Sequence, residues 1–239
     1  MPPGGRIAFD VLKRFALIAA LVLALGLLSA CGGDDDEGSP SGAEEEETSA
    51  ATESGCESVE APEPKEVSLD PPPKQPSSDN LTAVVDTSCG TFEIALDTQE
   101  NPKTAASFEY LAENGVLDGT PFHRIVPGFV IQAGDPAGTG SGPGPGYSVD
   151  EPPAADAEYT RGVVAMAKTA AEPPGRSGSQ FFVVTTADAG LPPDYAIAGE
   201  VTEGLEVVDT IASLGDPVSG GTGTPLDVVV INSVTIEAG

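Results

Sequence analysis

Apolar and polar positions divide the chain into three regimes. From Phe15 to Leu28 nearly every position is apolar. From Gly32 to Asn80, Asp, Glu, Ser, Ala and Pro prevail, with runs such as Asp34-Asp35-Asp36-Glu37 and Pro71-Pro72-Pro73. From Leu81 onward apolar residues recur at the spacings of regular structure. Residues 82–87 and 91–96 alternate like two strands around a Ser88-Cys89-Gly90 turn. Asn101-Pro102 opens a helix, with Asn as N-cap and Pro in the first turn. Ala105, Phe108, Leu111 and Ala112 share a face of it, and Gly115 ends it. Further strands are predicted over 122–126, 129–134, 161–167, 181–184, 196–201 and 227–236, and a second helix over 205–213, stopped by Gly215. Short strands with two helices predict a mainly β domain, a closed antiparallel barrel capped by helices.

The first two regimes read as an address and a tether. Arg6, Lys13 and Arg14 precede the apolar run, which suits a signal peptide and is short of the roughly twenty residues a spanning helix needs. Leu28-Ser29-Ala30-Cys31 then resembles the lipobox of bacterial lipoproteins. That resemblance implies cleavage before Cys31, lipidation of its thiol, and export to the outer face of a membrane. Several acyl chains hold a soluble domain stably where one is marginal. Residues 31–80 are too polar and Pro-rich to bury a core and are expected to be a disordered linker. The expected organisation is a leader at 1–30, a linker at 31–80 and a folded domain at 81–239.

Charge and rare residues narrow the chemistry. The chain has 10 Lys and Arg against 38 Asp and Glu, a net charge of -28. Nucleic acid is therefore not an expected partner, because its phosphates would repel the protein. The single His, His123, cannot build a His-rich metal site, and any His-activated nucleophile would have to use it. Outside the cytoplasm Cys56 and Cys89 could pair; two free thiols are the other reading. The glycines of 138–146 match neither dinucleotide nor P-loop spacing, so a surface loop is expected.

The most informative segment runs from Phe122 to Asp135, FHRIVPGFVIQAGD. Its Arg124 lies among aromatics in an apolar strand pair, where a guanidinium is costly unless it finds acceptors. On spacing alone, a structural Arg paired with a carboxylate is the favoured reading over a functional one. The segment resembles the cyclophilin signature. So do Gly162 to Ala167, Gly178-Ser179-Gln180-Phe181-Phe182-Val183, Gly138-Thr139-Gly140, Asp150-Glu151 and Gly199-Glu200-Val201, in order over 81–237.

The resemblance implies a closed eight-stranded antiparallel cyclophilin barrel with two helices and peptidyl-prolyl cis–trans isomerase activity on proline-containing polypeptides. It implies catalytic roles for Arg124, Gln132 and Phe129. Phe182, Val130, Leu191, Ala167, Lys168, Gln180, Tyr195 and His123 would contact substrate, with His123 structural or a wall contact. No metal, cofactor or nucleophile is needed, and a monomer is expected. The family's aromatic is replaced by Gly190, a pocket His by Tyr195 and a nearby Phe by Ala198, and the loop 169–176 is longer than usual. An isomerase of exported proteins is the first reading; a holdase of the same fold, binding proline-rich segments with little turnover, is the alternative.

Overall fold

The computed structural model describes residues 55–239. The leader, Cys31 and the first half of the linker lie outside the described residues. The elements are β1 (Leu81–Thr87), β2 (Gly90–Leu96), α1 (Pro102–Glu113), β3 (Arg124–Val126), β4 (Val130–Ala133), β5 (Val149–Asp150), β6 (Val163–Met166), β7 (Arg176–Ser177), β8 (Phe181–Val184), β9 (Ile197–Glu203), α2 (Leu205–Ser213) and β10 (Ile231–Ala238). Eight strands form one curled antiparallel sheet in the order β10-β1-β2-β9-β6-β8-β4-β3. The pair β5 and β7, not anticipated from sequence, forms a small separate ribbon.

The seam between the edge strands β10 and β3 is not a ladder. One bridge, Pro121 to Val230, joins the segments that precede them. The Phe122 N–H donates to the Val229 carbonyl at 2.9 Å, and the Ile231 N–H to the Thr120 carbonyl at 2.9 Å. The strands expected over 122–126 and 227–236 therefore start late. Pro121 has no N–H to give a ladder, so regular pairing cannot run through it.

Alternation along β8 divides the interior. Phe181 and Val183 enter the main core with Phe92, Ile94, Phe108, Leu111, Ile131, Met166 and Ile211. Phe108 of α1 meets Phe181 edge-to-face at 5.4 Å, a favoured aromatic geometry. Phe182 and Val184 point the other way, into a second cluster with Val130, Tyr159 and Ala165. This second face carries the candidate site.

The start of α1 departs from expectation. Asn101 occupies the cap position but makes no side-chain cap bond. Its amide donates instead to Asp97 Oδ2 at 2.6 Å. Glu151 takes the role from a distance, accepting from the Lys103 N–H at 3.1 Å, the Thr104 N–H at 2.7 Å and Thr104 Oγ1 at 2.7 Å. A carboxylate suits the positive end of a helix better than an amide oxygen does.

The linker expectation needs a correction over 56–80. Cys56 is disulfide-bonded to Cys89 in the β1–β2 turn. Beyond it the chain lies along the domain as an extended strap. The Lys65 N–H donates to the Pro136 carbonyl and the Leu69 N–H to the Pro145 carbonyl, both at 2.8 Å. Lys65 Nζ reaches the carbonyls of Gly115 (3.2 Å), Val116 and Asp118 beyond α1. Val67 and Leu69 pack on the main core. Ser77 bonds to Glu109 of α1. Lys65, Val67 and Leu69 alternate inward, so the strap buries one side of an extended chain despite its polar composition.

Candidate functional site

Strand register sets out the site. Arg124 of β3 lies opposite Gln132 of β4, and Gln132 lies opposite Phe182 of β8. Residues paired across antiparallel strands project to the same side, so these three side chains form a row on the second face. Arg124 Nη1 donates to Gln132 Oε1 at 3.3 Å, and Gln132 Nε2 donates to Gln180 Oε1 at 3.0 Å. Arg124 Nε donates to the Gly221 carbonyl at 3.2 Å, and the guanidinium carbon stands 5.8 Å from the Phe129 ring centre.

Arg124 has no carboxylate partner among the described residues. The ion pairs there are Arg161–Asp209 and Arg176–Asp150. The carboxylate pairing that a structural Arg124 would call for is thus not met among the described residues. Burial disfavours its charge and lowers its pKa. Its acceptors are neutral, and Nη2 has no protein partner among the described residues. A half-buried cation with a spare donor is poised to serve a ligand.

Below it opens a slot of about 270 Å³, lined by Arg124, Phe129, Val130, Gln132, Ala167, Lys168, Phe182, Leu191 and Tyr195. Its floor is aromatic: Phe182 and Tyr195 meet edge-to-face at 5.4 Å, and Tyr159 braces Tyr195 at 5.9 Å. The Tyr159 hydroxyl donates to the Tyr195 carbonyl at 2.7 Å and accepts from the Tyr195 N–H at 3.0 Å. The Lys168 ammonium sits 5.4 Å from the Tyr195 ring centre. Tyr159, which sequence reasoning missed, locks the slot from behind; its polar neighbours Glu158, Thr160 and Arg161 gave no hint of it.

A second hollow, about 670 Å³, joins the slot through Gln132, Ala167 and Lys168. Gly140 to Ser148 form one wall, Thr169 and Glu172 the other, with Ser179 and Gln180 below. Asp135 shapes the first half of the glycine wall. Its carboxylate accepts from the N–H groups of Ala137 (3.1 Å), Thr139 (3.0 Å), Gly140 (2.6 Å) and Gly142 (3.1 Å). Burial alone would raise the Asp135 pKa, but these donors hold it below the usual value.

His123 is not a slot contact. It lies under the glycine wall, where a Cβ on Gly140 would meet the imidazole at 2.8 Å. Its pKa is pushed down, chiefly by burial; Asp135 opposes this. Neither ring nitrogen has a well-formed hydrogen bond. Ala198, too, lies in the main core rather than in the slot wall. Gly190 is exposed, with open space where a side chain would stand.

An apolar slot beside a guanidinium without a carboxylate partner, continuous with a groove, has the form of a site for an extended peptide. Residues 82–236 match the family model for cyclophilin type peptidyl-prolyl cis-trans isomerase/CLD. Peptidyl-prolyl cis-trans isomerase B of Streptomyces anulatus is 38% identical over 178 residues, covering 67% of this chain and 98% of the relative. A probable peptidyl-prolyl cis-trans isomerase A of Mycobacterium leprae is 36% identical, covering 66% of this chain and 93% of the relative. Among solved structures, a cyclophilin type isomerase of Cryptosporidium parvum superimposes with a TM-score of 0.60 at 29% identity, covering 67% of this chain and 99% of its own. A structure of that protein in the presence of the dipeptide Ala-Pro gives 0.59 at the same identity, covering 66% and 99%. The chain belongs to the cyclophilin family and is a peptidyl-prolyl cis–trans isomerase.

Proposed function

We propose that this isomerase acts on X–Pro bonds of exported polypeptides, with Arg124 as the catalytic donor, while anchored through a lipid on Cys31. The barrier to rotation is about 18–20 kcal/mol, because amide resonance must be broken. In the twisted transition state the prolyl nitrogen regains a lone pair. A donor aimed at it favours that state over both planar ground states. Arg124 is that donor, and the observation that carries the assignment is its lack of a carboxylate partner above an aromatic slot. The slot of Phe129, Val130, Phe182, Leu191 and Tyr195 takes the prolyl ring. Gln132 holds the guanidinium on one side and offers its amide to the peptide backbone. Ala167, Lys168 and Gln180 line the exit toward the groove.

The export reading draws support from the leader pattern and from the Cys56–Cys89 disulfide, which suits an oxidising compartment. Globomycin-sensitive processing and labelling of Cys31 by a clickable fatty acid would establish the anchor; an unlabelled Cys31 would remove it. For the chemistry, exchange of a blocked X–Pro peptide is followed by NMR with the mature chain and with Arg124→Ala. The expected loss is about 100-fold or more, the usual cost of deleting one preorganised donor. Peptide binding without acceleration in the unsubstituted protein would favour a holdase.

A further inference from the structure

The groove wall has two halves with different supports. Residues 137–142 are gathered by the Asp135 carboxylate. Residues 143–146 receive nothing from Asp135. Outside the strand ladders, their one backbone hydrogen bond among the described residues comes from the strap, Leu69 N–H to the Pro145 carbonyl. Next to it the strap backbone presses on Gly146, where a Cβ would stand 3.0 Å from Ser68 Cα and Leu69 N. The Lys65 N–H holds the wall's other end at Pro136. The strap itself is fixed at both ends, by Cys56–Cys89 and by the Ser77–Glu109 bonds. Between them Lys65 Nζ is seated on carbonyls beyond α1, and Val67 and Leu69 are seated on the core.

We propose that the strap is a specificity element of the enzyme: residues 65–69 preorganise the 143–148 wall, so that the groove favours long polypeptides over short ones. The proposal rests on the reading of the slot and groove as one peptide site. A proline and its neighbour fill only the slot. Residues further along the chain cross Gln132, Ala167 and Lys168 and meet the wall. A wall already held in place loses less freedom when they dock, which raises their affinity.

The test compares a blocked Ala-Pro peptide with the same peptide lengthened by three alanines on either side. The proteins are the mature chain, V67S/L69S and, in case that pair fails to fold, K65A. NMR titration gives Kd and exchange spectroscopy gives the isomerisation rate. Amide exchange of Gly144 and Gly146 reports the wall, and thermal unfolding reports global stability. In the folded variants the affinity gain of the long peptide should fall about fivefold, roughly the scale of one lost packing contact. Binding of the short peptide should stay within about twofold, with faster amide exchange at Gly144 and Gly146. Equal losses for both peptides, or none, would overturn the proposal. Failure of the unsubstituted chain to accelerate exchange would defeat the isomerase assignment of Arg124 but leave the Kd comparison readable.

Discussion

Arg124 differs from Arg161 and Arg176 in what it is given to bind. The other two are paired with Asp209 and Asp150 in two-point contacts, at 2.7–2.8 Å. Arg124 is steadied by a carbonyl, an amide oxygen and a ring, none of which neutralises it. Its support by Gly221 depends on Gly223, whose φ is +66° and where a Cβ would stand 2.8 Å from Arg124 Cγ. Gly223→Ala should therefore displace the guanidinium and lower kcat by about tenfold, and Arg124→Ala should then cost about tenfold in that background rather than its full effect; steady-state NMR exchange rates check both. His123 supplies a different prediction. Its folded-state pKa is lowered from 6.5, mainly by burial. The unfolded chain then takes the proton first, so stability present above pH 6.5 is lost as pH falls below that value. Asp135, also lowered, adds a loss in the same direction only below about pH 3.8. Urea midpoints between pH 8 and 5 should decline in the natural chain and stay flatter in His123→Gln. No titrating group enters the proposed mechanism, so kcat/KM should be level from pH 7 to 9.

Among the elements, α1 shows what a local pattern reveals and what it hides. Its span, its apolar face and its Gly115 stop were legible, because all depend on neighbours in sequence. Its true cap, Glu151, lies far along the chain and could not be read locally. Glu151→Ala should cost about 1–2 kcal/mol, as loss of a cap does, measured by chemical denaturation. The strap was misread for a related reason. Lys65-Glu66-Val67-Ser68-Leu69 carries a strand-like alternation, but acidic and proline-rich flanks hid it. Arg124, Gln132 and Phe182 were legible through family resemblance; the strand row that unites them came from register. His123, expected to be structural or a wall contact, lies under a glycine wall that its neighbours along the chain do not reveal.

For the molecule as a whole, charge is the dominant long-range property. With a net charge of -28, the protein repels acidic clients and draws basic ones over distances of about a Debye length. At low salt kcat/KM should be higher for a Lys-flanked X–Pro peptide than for a Glu-flanked one, and the two should converge by about 0.5 M NaCl. A difference that survives high salt would place the preference in the local contacts of Lys168 and Glu172 instead. No helix among the described residues is long and apolar enough to cross a membrane.

The bond between Cys56 and Cys89 closes a ring of main chain around the strap. A protease that nicks any peptide bond between these two residues opens the ring without separating the pieces. Everything upstream of Cys56 stays covalently joined to the barrel until a reductant arrives. Shedding of the enzyme from a surface would thus require either a cut upstream of Cys56 or a cut combined with thiol exchange.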